Sequence, residues 1–403
     1  MHIVFVQYGG DYRKAFTSIK SGSEETYGYQ KYSIDVLGSL VQAGHSVSVL
    51  CALTSEKYRE TLSNGVQAVG AGFSEQVSSQ VLLKTLDSLQ PDRLVVRVPM
   101  PAIFRWAIRQ RIPTLAMLAD SFENKKIVDK LRNRRFARLL NSPVVEWIAN
   151  HNVNACLSLQ DIGVQAEKIV PWDWPAINTP KDNDIKLYDK RSLQLFYAGK
   201  LSTLKGVGDL LDAVHILSQH ESPIDIKVNI AGSGDVDAFE AQAHRLGISD
   251  RITFMGTISH SQVCQEMEQA DVAVVPSRRE YPEGFPKTIN EALCARTPLI
   301  ISDHSVFNGI FEEGKNALIF PSGNPEKLAH CIGRIQDAKL YRKLSLSTME
   351  TWESLQIPMS WGDLIQLWIS PSSPRACELQ SYTLLSDRYE GRVSLQRSIG
   401  SNR

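Results

Sequence analysis

Two carboxylates eight positions apart and two lysines five positions apart are the residues of this chain best suited to chemistry. The carboxylates bound the segment Glu283-Gly-Phe-Pro-Lys-Thr-Ile-Asn-Glu291, one in a Gly-Pro loop and one inside the helix that the loop opens. A carboxylate accepts hydrogen bonds in fixed directions, which suits paired sugar hydroxyls. Gly284 lets a ligand approach the backbone, and the N–H groups of a first helical turn have no partner within the helix. An acidic helix start favoured by the helix dipole also accounts for Glu283. It accounts poorly for Glu291, which sits among Ile289, Ala292 and Leu293.

The lysines lie in Ala198-Gly-Lys200-Leu-Ser-Thr-Leu-Lys205-Gly206, between a β-rich run and a helix that begins near Val207. A helix N-terminus carries partial positive charge and free N–H groups, which suits phosphate. Fixed ammonium groups beside it would stabilise a departing diphosphate as its negative charge grows. The loop alone fits two solvated lysines equally well.

Other chemistry-bearing patterns carry less. Asp235-Val-Asp237 is a DxD of the metal-binding type, but it directly follows Gly232-Ser-Gly234, where Asp235 is expected to cap the next helix. The same glycines lack the third glycine of a dinucleotide loop, and the next strand ends in Phe254-Met-Gly256 without an acidic residue for a ribose. That argues against NAD, and no Walker A pattern exists. The nine histidines form no HxxH or His/Cys cluster and mostly read as surface residues, so no metal is expected. Six scattered cysteines without a CxxC pair read as buried free thiols of a reducing compartment.

These residues need a frame to position them. At 403 residues, 43% apolar and 22% charged, the chain suits two globular domains. Forty-four basic and forty-four acidic residues cancel, which leaves no global field to attract nucleic acid. The N-terminal Ile3–Gln7 reads as a first strand rather than a signal peptide, and no apolar run is long enough to span a bilayer. A cytoplasmic location is expected, with the inner membrane face as an alternative. Residues 125–138 favour the latter: seven Lys and Arg face a single Asp129, with Ile127, Leu131, Leu139 and Leu140 as a rough apolar face. An ordinary solvated helix has the same composition.

Strand and helix alternate through both halves, which predicts parallel sheets covered on both faces. Ile3–Gln7, Ser46–Cys51, Leu94–Val98, Thr114–Leu118 and Ala155–Leu159 read as strands of the first half. Leu193–Ala198, Lys227–Ala231, Ile252–Met255, Val272–Val275, Leu299–Ile301 and Ala317–Phe320 read as strands of the second. Val207–Ser218, Val236–Leu246, Ser261–Gln269, Thr288–Ala295 and Pro325–Ile335 read as helices. The expected organisation is a first domain over 1–172, a linker over 173–191 and a second domain over 192–355. A crossover helix over 356–370 and a loose tail over 371–403 follow.

The ordered set Ala198-Gly-Lys-Leu-Ser…Lys205-Gly206, Ile230-Ala-Gly-Ser-Gly-Asp235, Phe254-Met-Gly256, Ala270-Asp-Val-Ala-Val-Val-Pro-Ser277 and Glu283-Gly-Phe-Pro…Glu291-Ala-Leu resembles the C-terminal domain of glycosyltransferase family 4. Order and spacing agree over about 170 residues. The resemblance implies the GT-B fold, an α/β architecture of two Rossmann-like domains facing across a cleft. It implies a retaining, metal-independent transferase that takes sugar from a nucleotide-diphosphate donor to a glycan, lipid-linked or small-molecule acceptor. In the donor site so implied, Lys200 and Lys205 meet the diphosphate, Glu291 the ribose and Glu283 the transferred sugar. Gly284, Phe285, Pro286 and Lys287 lie beside the donor, and Gly9-Gly10 matches a glycine loop of the first domain that closes over the phosphates. Trp361–Trp368 is similar to the family's final helix, which crosses back to the first domain.

The chain departs from the family pattern in places. Leu118-Ala119-Asp120 stands where many members carry a sugar-facing His, so Asp120 is expected to take that hydrogen-bonding role. Lys200 stands where Arg is commoner, and Glu280 competes with Glu283 as the first glutamate, although spacing to Glu291 favours Glu283. A nucleotide-sugar epimerase and a non-catalytic sugar-nucleotide or glycan-binding module are the alternatives.

Overall fold

The computed structural model describes residues 1–26, 28–74, 76–188, 192–220, 225–370 and 374–392. It divides into two compact units, one of Met1–Pro175 with the described residues 357–370 and 374–392, the other of Ala176–Gln356.

The first unit is built on an eight-stranded sheet of β1 (His2–Gln7), β2 (Ser46–Leu53), β3 (Lys57–Thr61), β4 (Gln67–Phe73), β5 (Arg93–Val96), β6 (Thr114–Leu118), β7 (Val145–His151) and β8 (Ile169–Trp172). Their order is β3-β4-β2-β1-β5-β6-β7-β8, parallel except for the antiparallel edge pair β3–β4. Apolar side chains on both faces of the central strands explain the parallel layout, because helices must cover both sides. In β1, Val4 and Val6 enter one core while Ile3 and Phe5 enter the other.

The second unit holds β9 (Ser192–Ala198), β10 (Asp225–Ala231), β11 (Ile252–Gly256), β12 (Val272–Val275), β13 (Leu299–Ser302) and β14 (Leu318–Phe320), in the order β11-β10-β9-β12-β13-β14, all parallel. The expected alternation of strand and helix is present here, and Val207–Ser218 and Val272–Val275 begin and end where the sequence places them.

Four expectations change. Ala155–Leu159 is not a strand but the middle of a helix, Val153–Asp161, whose N-cap Asn152 accepts from the Asn154 N–H. A short run buried on nearly every side has no periodicity to tell strand from helix. The region read as a linker divides at Pro175. Beyond it Asn183 Nδ2 donates to Cys294 O at 3.1 Å, and Lys186 Nζ donates to Ala270 O at 2.6 Å and Thr297 Oγ1 at 2.7 Å, so residues 176–188 are part of the second unit. The third concerns the tail. Its described residues, 374–392, pack in the first unit, with Leu379, Leu384 and Tyr389 buried and Leu384 N–H donating to Ile169 O. Residues 371–373 and 393–403 lie outside the described set. Finally, Asp235 occupies the N-cap of Val236–Arg245 but makes no side-chain cap hydrogen bond.

The expected crossover helix is Trp361–Ile369. Trp361 is buried against Phe5 and stacks on Trp174, with ring centroids 6.2 and 5.8 Å away, and Tyr32 Oη accepts from the Gly362 N–H at 3.1 Å.

Candidate functional site

In the second sheet the chain runs from β9 outward to β10 on one side and returns to β12 on the other. The carboxyl ends of β9 and β12 therefore flank the point where strand order reverses, the usual ligand position in an open α/β sheet. The lysine loop leaves β9 there and the glutamate loop leaves β12.

Gly206 sets the first loop. Its φ of +73° turns the chain into the helix Val207–Ser218, and a Cβ on it would stand 2.1 Å from Pro276 O. Only glycine admits that approach between the two loops. The Arg278 N–H donating to Leu204 O at 2.8 Å ties them again. So held, Lys205 Nζ bonds Glu283 Oε2, and Ser277 Oγ donates to the same oxygen at 3.1 Å. Lys205 Nζ also lies 4.3 Å from the centre of the Tyr281 ring. The Glu283 residue is only 7% exposed, which marks this as a largely desolvated ion pair. Burial and the nearby Glu283 carboxylate push the Tyr197 hydroxyl upward, and that hydroxyl donates to Lys200 O at 2.8 Å.

Of the two lysines, Lys205 alone pairs with Glu283; Lys200 is exposed. Glu280 is exposed as well, whereas Glu283 is buried at the switch point. Gly284, Phe285 and Pro286 are buried and lead into the helix Lys287–Cys294, whose N-cap is Pro286. Glu291 lies one to two turns along this helix, and His260 Nε2 stands 3.0 Å from its Oε1. Contact with Cys264 and with Glu291 raises His260 to about 10, so it is an imidazolium at neutral pH and holds the carboxylate by a charge-assisted bond. The sequence reading missed His260, which it placed among surface histidines. Its signal was position, directly after the turn of residues 257–259 that follows β11.

Asp120, Gly9 and Gly10 belong to the first unit. Gly9-Gly10 follows β1, with Gly10 at φ +84°, and Asp120 follows β6, where its carbonyl accepts from Asn150 Nδ2 at 2.8 Å.

Residues 178–345 match the family model "Glycosyl transferases group 1". An uncharacterised glycosyltransferase of Methanocaldococcus jannaschii is 28% identical over 174 residues, covering 41% of this chain and 43% of the relative. Alpha-D-kanosaminyltransferase of Streptomyces kanamyceticus is 25% identical over 221 residues, 49% of this chain and 56% of the relative. The chain thus spans about half the length of these curated relatives. Among solved structures, Anabaena HepE in complex with UDP and glucose superposes with a TM-score of 0.63 at 15% identity, over 88% of this chain and 95% of HepE. This chain therefore has the GT-B fold, and the stretch similar to glycosyl transferases group 1 lies in its second unit.

Proposed function

We propose that the chain is a retaining, metal-independent glycosyltransferase that moves a sugar from a nucleotide-diphosphate donor to a glycan, lipid-linked or small-molecule acceptor. The observation that carries this reading is the Lys205–Glu283 pair at the switch point of the second sheet, one helix away from the His260–Glu291 pair. Lys205 and the backbone N–H groups of Gly284, Phe285 and Lys287 receive the diphosphate, with the exposed Lys200 completing the charge. Glu291, oriented by His260, accepts from the ribose hydroxyls. Glu283 accepts from the transferred sugar; within the first unit, Asp120 hydrogen-bonds a sugar and Gly9-Gly10 meets phosphate. In transfer with retention, the acceptor hydroxyl bonds the anomeric carbon on the face that the phosphate leaves. The carbon–oxygen bond to phosphate breaks, and the departing phosphate oxygen takes the hydroxyl proton.

The test is a melting-temperature screen against UDP-, GDP- and ADP-sugars, since a ligand bound only to the native state raises its stability. It is followed by nucleotide release with and without acceptor, in EDTA. Acceptor-dependent release is expected. Conversion of the sugar without acceptor would instead indicate an epimerase, and binding without release a non-catalytic module.

Peripheral membrane contact belongs to the same proposal. The helix Ile127–Leu140 buries Asn133, Phe136, Ala137 and Leu140. Ile127 and Leu131 do not join that face: Ile127, Val128 and Leu131 are 79%, 72% and 51% exposed among Lys125, Lys126, Lys130, Arg132, Arg134, Arg135 and Arg138. Exposed apolar side chains beside clustered cations suit an anionic lipid surface. Flotation with anionic vesicles is expected to fall when Arg132, Arg134 and Arg135 are changed to Ser; equal flotation would sink the idea.

A further inference from the structure

The first sheet has a switch point of its own. From β1 the chain goes outward to β2 on one side and later returns to β5 on the other, so the carboxyl ends of β1 and β5 adjoin. Gly9-Gly10 follows β1, and Arg97 follows β5 directly. The Arg97 N–H donates to Val6 O at 2.8 Å, which keeps the two strand ends level.

Arg97 is half-buried, and its guanidinium carries five N–H donors. Among the described residues it has no carboxylate partner. Its one side-chain hydrogen bond runs from Nη1 to Gln7 Oε1 at 3.4 Å, and its carbon lies 5.4 Å from the centre of the Trp361 ring. Burial pushes its pKa down to about 10, so it stays charged at neutral pH. A desolvated cation without a counter-charge is costly, and elsewhere in the chain such arginines are paired, Arg278 with Asp209 and Arg93 with Glu146. Gln7 connects this cation to the glycine loop: its Nε2 donates to Gly10 O at 3.1 Å and to Cys51 Sγ at 3.3 Å. A Cβ on Gly9 would meet nothing within 4 Å, so its backbone is open to a ligand. The adjacent helix Tyr12–Lys20 contributes little to an anion, because the carboxylate of its N-cap Asp11 already accepts from the Lys14 N–H.

We propose that Arg97, beside the Gly9-Gly10 loop already expected to meet phosphate, binds a phosphate oxyanion of a substrate at the carboxyl ends of β1 and β5. The planar fork of Arg97 supplies paired donors for two oxyanion oxygens. The proposal rests on the nucleotide-sugar reading only for the class of ligand. The phosphate belongs either to the nucleotide or to a phosphorylated second substrate, and the two are separable.

Titration calorimetry of the full chain with UDP, with uridine, and with inorganic phosphate at saturating UDP makes the test. Arg97→Met and Arg97→Gln are expected to lose about 10-fold or more in phosphate-dependent affinity, and Arg97→Lys less, because it keeps the charge and loses the fork. A nucleotide source weakens UDP and leaves uridine unchanged. A second-substrate source leaves UDP unchanged and weakens inorganic phosphate. Wild-type affinity for both UDP and phosphate in either neutral variant, melting as wild type does, overturns the proposal; so does wild-type protein that binds neither. Should no nucleotide sugar be turned over while Arg97-dependent phosphate binding persists, the transferase reading fails and this one stands.

Discussion

Changing Lys205 to Met is expected to reduce sugar transfer by about 10²–10³-fold, the loss typical of removing one preorganised charge-stabilising group. Changing Glu283 to Gln should do comparable damage. Both variants are also expected to melt lower, for a separate reason. Lys205 and Glu283 have side chains only 14% and 9% exposed, so removing one partner strands the other charge in a desolvated site. Breaking a buried pair costs about 3–5 kcal/mol, and the residual exposure here points to the lower end. The double variant Lys205→Met/Glu283→Gln removes both charges together. It should recover much of the lost stability, because Ser277 can still hydrogen-bond the amide, and recover none of the transfer. Melting curves and initial rates on the three variants decide it. Near wild-type turnover in Lys205→Met would remove this pair from the mechanism. Stability that falls further in the double variant would mean that the pair is not the coupled unit described.

Gly206→Ala is expected to cost about 3 kcal/mol or more, lowering the melting temperature by roughly 6–12 °C. Two effects add. A φ of +73° is strained for any residue with a Cβ, at about 1–2 kcal/mol. The new methyl would also stand 2.1 Å from Pro276 O and 2.8 Å from Pro276 C, both backbone atoms that move only if the loops after β9 and β12 separate. That separation pulls Lys205 from Glu283, so donor affinity should fall with stability. Gly247→Ala is the control. Its φ is +68°, yet a Cβ there would meet nothing within 4 Å, so it bears the backbone strain alone. Equal melting temperatures for the two variants would show that the close approach of the loops does not matter.

Much of the fold was legible because buried parallel strands are short apolar runs closed by glycine or proline. Thr114–Leu118 and Val272–Val275 have that form and stand where the sequence puts them. The edge strand β3 was not seen, since Lys57–Thr61 is polar, largely exposed and without the apolar pattern that announces a core strand. The strands Gln67–Phe73, Val145–His151 and Ile169–Trp172 and the helices Tyr12–Lys20 and Ala338–Leu355 also went unread. Ala155–Leu159 was misread for the opposite reason, as burial on nearly all sides erased its period.

At the candidate site the same division holds. Residue type and spacing along the chain determined the two loops, the glycine that opens each approach and the helix that carries Glu291, because these depend on neighbours a few positions away. Which lysine meets a glutamate, which glutamate is buried and which histidine holds Glu291 were decided only in three dimensions. Lys205 and Glu283 are 78 positions apart, His260 and Glu291 31 apart, and each pair meets because strand order brings distant strand ends to one edge. Arg97 is the clearest instance. In the sequence it is one basic residue after a strand, and only burial close to Gly9-Gly10, with no carboxylate partner among the described residues, sets it apart.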